Sequence, residues 1–316
     1  MGIEKLTERQ IIGTFYKTLA QNTGAGWINL VSNYFTSDQA SEEYAWLGQS
    51  PMMREWIGGR NAKGLSENAL TIRNKHFEAT LDILVRDLRR DKSGQALVRI
   101  AELARRSNAH WASLLSTLVQ DAVSTTCYDG QYFFDTDHSE GDSGTQDNDI
   151  TVDISGLAVA THGTVTAPAV AEMQLAIASG IQAIVGFKDN QGEPMNEDAN
   201  EFLVMVPIPL MNVAMQAVAT PAQVAESQTA LEAMKADFMI RVAANARLSW
   251  TDEFAVFRTD SAIKSFIRQE ETAVQLKVKG EGSEFEFDND AHQYGIDSWR
   301  NVGYGYWQNA CLVTMV

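Results

Sequence analysis

From Ser93 to about Ser124 the sequence carries a single apolar stripe at helical spacing, and this feature constrains the fold more than any other. Leu97, Ile100, Ala101, Ala104, Trp111, Leu115, Leu118, Val119 and Ala122 fall on the stripe, while Arg99, Glu102, Arg106 and Gln120 fall elsewhere. Ser93 stands where a capping hydroxyl would start the helix. At about 1.5 Å per residue, the segment predicts a rod of roughly 45 Å. An average helix has about 11–12 residues, so a rod this long serves as a spine against which other elements pack.

The flanks of this helix differ from each other. Residues 5–22 predict a shorter helix, with Ile11, Ile12, Phe15 and Leu19 on one face and a Thr7/Gln10 capping pair. Residues 27–47 spread Trp27, Tyr34, Phe35, Tyr44 and Trp46 along an extended arm that needs another surface for its rings. Residues 48–92 read as strand, loop, strand, in which Thr71, Arg73 and Lys75 alternate with Ile72, Asn74 and His76. Such a polar ribbon is marginal alone and would lie on a neighbouring lobe or molecule.

Beyond the spine, residues 139–166 are rich in Gly, Ser, Thr and Asp and read as a loop. A helix follows from Pro168 to about Val185, and KDNQGEP makes a turn. Residues 202–206 form a buried strand, and helices are expected over 210–219 and 222–235. From Phe238 onward the pattern is mainly strand-like, EFEFD included; in GYGYW, large side chains alternate with none.

Composition narrows the function. The 316 residues carry a net charge of -16, which disfavours nucleic-acid binding, because that requires clustered Lys and Arg. Cys127 and Cys311 are too few for a disulfide framework and lack zinc spacing, as expected of reduced thiols in an intracellular protein. MGIEKLTERQ lacks the apolar core of a signal peptide. Residues 202–225 are uncharged and long enough to span a bilayer, but Pro207, Pro209 and Pro221 favour strand, turn and helix, so a soluble chain is expected.

The stretch CYDGQYFFDTDH, residues 127–138, is the main candidate for chemistry. In a strand, Asp135 and Asp137 share one face and His138 takes the other. Two carboxylates on one face can hold a divalent cation, and with His138 they form the alternative reading, a metal-dependent hydrolase. Only two of these groups converge, however, and no second cluster completes a ligand shell. The preferred reading is structural: Tyr132, Phe133 and Phe134 pack while the polar groups fix turns. A Cys127–His138 dyad lacks a third group to orient it. No nucleophile elbow, Walker A loop or dinucleotide fingerprint is present, so no enzyme, resident metal or cofactor is expected. The basic pairs Arg89/Arg90 and Arg105/Arg106 suit ion pairs with neighbouring subunits.

Several sequence words resemble those of one family, the major head subunits of Mu-like tailed phages and prophages. They are YAWLGQSPMMREWIGGR (44–60), IRNKHFEATLDILVRD (72–87), CYDGQYFFDTDH (127–138), IKSFIRQEE (263–271) and YGIDSWRNVGYGYWQNA (294–310). The resemblance runs nearly end to end and is weakest over 139–250. It implies an α+β fold of the Hong Kong 97 capsid type. The implied division is an N-terminal arm (1–43), an extended loop (44–80), a peripheral domain (81–150) with the spine helix about 93–124, an axial domain (151–260), and a return to the peripheral domain and C-terminal strands (261–316). It also implies a non-catalytic protein of the virion, assembled in the host cytoplasm. Hexamers and pentamers would close an icosahedral shell around double-stranded DNA, which is packaged without sequence-specific binding and with no membrane involved. A scaffold protein, a maturation protease and a portal would take part, with a decoration protein as a further partner. Expected assembly contacts are Trp46, Arg54, Trp56, Arg60, Lys63, Arg73, Lys75, Arg89 and Arg90. Covalent cross-linking is not implied.

Overall fold

The computed structural model describes residues 8–21, 24–44, 70–90, 94–159, 161–219, 223–224, 227–228 and 230–316. The spine helix, α4 in chain order, runs from Gln95 to Gln120 and ends in a 3-10 turn over Asp121–Val123. Its buried face includes Ile100, Ala104, Trp111, Leu115 and Val119, the stripe read from sequence. Gly94, with φ 73°, occupies the cap position; Ser93 lies outside the described residues.

Before the spine come α1 (Glu8–Gln21), a turn of helix α2 (Ile28–Val31), β1 (Ser32–Thr36), β2 (Ser41–Tyr44), β3 (Leu70–Arg73), β4 (Lys75–Leu84) and α3 (Val85–Arg90). After it come β5 (Asp149–Val152), α5 (Val170–Gly186), β6 (Glu201–Val206), α6 (Met211–Ala219), β7 (Gln223–Val224), β8 (Ser227–Gln228), α7 (Ala230–Met234), β9 (Met239–Ala244) and β10 (Glu253–Arg258). The chain closes with β11 (Phe266–Lys279), α8 (Glu284–Asn289), β12 (Ala291–Tyr304) and β13 (Ala310–Met315).

Two sheets organise these elements. One has the order β5-β13-β10-β6-β9, the other β1-β11-β12-β4. The middle strands of the five-stranded sheet are apolar: Phe202 to Val206 and Phe254 to Phe257 are all buried, and Arg258 is buried at the end of β10. Helices α5 and α6 pack on it and on each other, and with Leu115 and Val119 of the spine they belong to one continuous core. In the four-stranded sheet, by contrast, exposure alternates along β4 and the far half of β11. A smaller core of Ile11, Phe15, Ile83, Ala96, Ile100, Ala104, Tyr294 and Ile296 joins its inner face to α1 and the first half of the spine.

Several sequence expectations need correction. Two of the arm rings find cover within the chain: Trp27 and Tyr44 are buried in the main core, while Trp46 lies outside the described residues. The expected ribbon divides at Asn74, whose amide donates to Gln39 O; β3 pairs with β2, while β4 enters the four-stranded sheet beside β12. Ile72 is buried there against Gly303, where any Cβ would overlap it, which explains the small residue in GYGYW. The helix expected over 222–235 shrinks to α7, with β7 and β8 paired before it. EFEFD is the helix α8, because Ser283 Oγ accepts from Glu286 N at its start and Asp290 takes a left-handed conformation at its end. The loop 139–166 contains β5, which runs parallel to β13. Among the described residues, no helix is long and apolar enough to cross a membrane.

Candidate functional site

The stretch 127–138 leaves the end of the spine as a tight turn and has no strand of its own. Gly130 sits at φ 90°, where a side chain would be strained, and its N–H donates to Cys127 O at 3.2 Å. The Asp129 side chain bends over this turn and accepts from Gln131 N at 3.1 Å. Thr126 and Tyr132 form an isolated bridge, and His138 bridges to Gln146.

This backbone path brings Cys127, Asp129 and His138 together. Cys127 Sγ donates to Asp129 Oδ1 at 3.0 Å, and His138 Nδ1 donates to Oδ2 at 2.7 Å. A carboxylate only accepts, so Asp129 fixes the His138 tautomer with its proton on Nδ1. The His138 ring is fully buried and stacks on Trp307 at 3.9 Å and 7°, while Phe187 meets the same indole edge-on at 5.3 Å. Tyr128 and Gln308 exchange hydrogen bonds nearby, and Asn148 ties Phe133 O to the same region through its amide. The word CYDGQYFFDTDH is thus clamped to YGYWQNA, far along the chain.

Electrostatics agree with a clamp. Burial pushes the Asp129 carboxyl up, but hydrogen bonds from His138 and Cys127 outweigh it and hold the carboxyl below its usual value. Burial first, then the Asp129 charge, push the Cys127 thiol up, so it stays protonated and is a poor nucleophile. Burial raises the Glu140 carboxyl and, more strongly, the Tyr128 phenol.

The alternative catalytic reading fails on this geometry. Asp135 accepts from Tyr132 N and Thr136 N, and Asp137 accepts from Gln131 Nε2; both cap local turns. A proton shared with Asp135 raises the Asp137 carboxyl above its usual value. His138 turns away from both, into the core. Nor is Cys127–His138 a dyad, since Asp129 stands between them. The three polar side chains do lie within 4.8 Å of one another, but their direct contacts have hydrogen-bond lengths. Ligands sharing one zinc at bonds of 2.0–2.3 Å would sit about 3.3 Å or more apart. The cluster as built is closed by protons. Asp129 is visible in the sequence as one of three aspartates of the stretch, but nothing there singles it out over Asp135 and Asp137 except Asp-Gly, a turn pair; Trp307 carries no local signal.

Of the expected assembly contacts, Trp46, Arg54, Trp56, Arg60 and Lys63 lie outside the described residues. Arg73 and Lys75 are exposed on either side of Asn74, and Arg89 and Arg90 are exposed on α3. The structure does not gather these four into one site; they are spread over β3, β4 and α3.

A family model, "Mu-like prophage major head subunit gpT", matches residues 8–162 and 235–315, most of the chain and strands of both sheets. The chain belongs to this family. It is a family of structural head subunits, not of enzymes. The chain is similar to the Mu-like prophage FluMu major head subunit of Haemophilus influenzae, 37% identical over 111 residues, 35% of this chain and 36% of that protein. It is also similar to the major capsid protein of Escherichia phage Mu, 33% identical over 110 residues, 35% of this chain and 36% of that protein. Each alignment therefore spans about a third of the relative. Among solved structures, the procapsid subunit of bacteriophage JBD30 superposes with a TM-score of 0.54 at 23% identity, over 98% of this chain and 76% of that one. The gpT-type chain thus has the Hong Kong 97-type α+β fold.

Proposed function

We propose that this gpT-type chain is the shell-forming subunit of a phage head, a non-catalytic virion protein that assembles in many copies. The observation that carries this reading is the family match over the spine helix and strands of both sheets; of the large elements, only α5, β6 and α6 fall outside it. The half-exposed alternation of the four-stranded sheet supports it, because such a face suits contact with neighbouring copies.

The finer reading has hexamers and pentamers closing an icosahedral shell around double-stranded DNA, with a scaffold protein, a maturation protease, a portal and a decoration protein from outside the chain. Within the subunit we assign residues 1–43 to the arm, 44–80 to the extended loop, 81–150 and 261–316 to the peripheral domain with its C-terminal strands, and 151–260 to the axial domain. Trp46, Arg54, Trp56, Arg60, Lys63, Arg73, Lys75, Arg89 and Arg90 are the proposed contacts between copies. The net charge of -16 suits a container that must not adhere to its DNA.

Negative-stain microscopy of the purified protein, with and without scaffold, tests the reading. Rings or closed shells are expected. Protein that remains monomeric at high concentration under both conditions removes it.

A further inference from the structure

At the tip of the four-stranded sheet, α8 carries the most exposed large apolar side chain among the described residues: Phe287 is 91% exposed. Around it stand Glu281, Glu284, Glu286, Asp288 and Asp290, with no Lys or Arg between residues 280 and 290. The helix is firmly held, so Phe287 is presented rather than loose. Ser283 caps its start, Gly282 N donates to Glu286, and Phe285 lies under Lys279 Nζ at 5.8 Å.

The same tip carries an opposite surface. Val85 N donates to Asp290 O, which places α3 directly beside α8. Between α3 and the start of the spine lies an open cleft of about 420 Å³. Ile83, Leu84 and Ala96 form its apolar part, and Arg90 and Arg99 line it. Its acids are engaged elsewhere: Asp82 accepts from Gln293 Nε2, and Asp87 faces Arg86 at 3.7 Å. Among the described residues, Arg90 and Arg99 have no ion-pair partner. Val98, 67% exposed, extends the apolar surface alongside.

We propose that Phe287 and its carboxylates dock into this arginine-lined cleft on a second copy of the same chain. The aromatic ring covers Leu84 and Val98, while Glu284 and Asp288 meet Arg90 and Arg99. The occupant is a second copy because both halves of the contact, of opposite charge, lie on one chain. They sit side by side at one end of the sheet, yet Phe287 remains exposed in its own chain. A contact in which one patch meets a different patch generates a ring where the rotation between copies closes, and every knob and every cleft in that ring is filled. One ring and a few charges bury far less than the roughly 1,200–2,000 Å² of a stable interface. The contact therefore adds to others and joins copies that are already close. It rests on the shell-subunit reading above.

The test compares wild type, Phe287→Ser and the double variant Phe287→Cys/Gln95→Cys. Cys127 and Cys311 are both buried, so the engineered thiols are the ones that oxidise. Phe287→Ser should fold with an unchanged circular dichroism spectrum and need roughly tenfold more protein to form shells, the factor given by about 1.4 kcal/mol per contact. The double variant should give a ladder of disulfide-linked multimers on non-reducing gels, absent from each single variant. If wild type itself stays monomeric both with and without scaffold, the shell-subunit reading fails and the docking falls with it. If Phe287→Ser assembles like wild type, docking alone is overturned. If Phe287→Ser fails to assemble but the double variant gives no ladder, the second copy is the wrong occupant; a scaffold or decoration protein then becomes the candidate.

Discussion

The two sheets of this subunit are built from similar numbers of strands but on opposite plans. In the five-stranded sheet, β6 and β10 each bury every residue but the first. In the four-stranded sheet, β4 buries only Ile83, and exposure alternates along β11 from Glu270 to Lys279. A continuous apolar strand needs cover on both faces; an alternating strand needs it on one. The five-stranded half therefore supplies its own cover, through α5, α6 and the spine. The four-stranded half has α1 and the spine on one face and leaves the other for water or for neighbours. One chain thus divides into a half that covers itself and a half that leaves one face open, the face we propose meets neighbouring copies, with the Asp129 clamp near their junction.

The largest effect should come from the self-sufficient half. Trp307→Ala removes a fully buried ring and the platform for His138, and should cost about 3–5 kcal/mol in urea unfolding of unassembled subunits. A smaller loss would place the clamp outside the core. His138→Ala leaves the buried Asp129 carboxylate short of a donor and should cost about 2–3 kcal/mol, whereas Asp135→Ala, at a part-exposed turn, should cost under about 1 kcal/mol. Equal losses would revive a joint role for Asp135 and His138.

The clamp also predicts a pH dependence. The folded Asp129 value is depressed, so its contribution is complete above the unfolded value of about 4 and fades as pH falls through the folded one. The stability gap between wild type and Asp129→Asn should therefore be widest at neutral pH and narrow below about pH 4. A gap that is constant with pH would mean that the carboxylate charge contributes nothing. The smallest effect belongs to the assembly half. Phe287→Ser should shift subunit stability by less than about 0.5 kcal/mol, since that ring covers nothing in its own chain. A larger shift would contradict the contrast between the halves.

The sequence shows this division unevenly. The spine, α5, β6 and β10 are legible because their apolar spacing is local and unbroken. Strand β5 is hidden in a polar stretch, because its pairing depends on β13, more than half the chain away. Helix α8 reads as a strand because Glu-Phe-Glu-Phe alternates; its two ends, Ser283 and Asp290, decide otherwise. At the candidate site, the turn after the spine and the packing of Phe133 and Phe134 are legible. The orientation of His138 is not, because the bridge to Gln146 and the stack on Trp307 set it. No local spacing reveals that His138 faces Asp129 rather than Asp135 or Asp137.

Hydrogen–deuterium exchange, compared between unassembled subunits and purified shells, addresses the central division most directly. New protection is expected at α3, α8 and the outer part of β4 on assembly. Little change is expected in β6, β10 and β13, whose buried strands should already exchange slowly in the free subunit. Protection gained equally in both sheets, or none gained at α3 and α8, would contradict it.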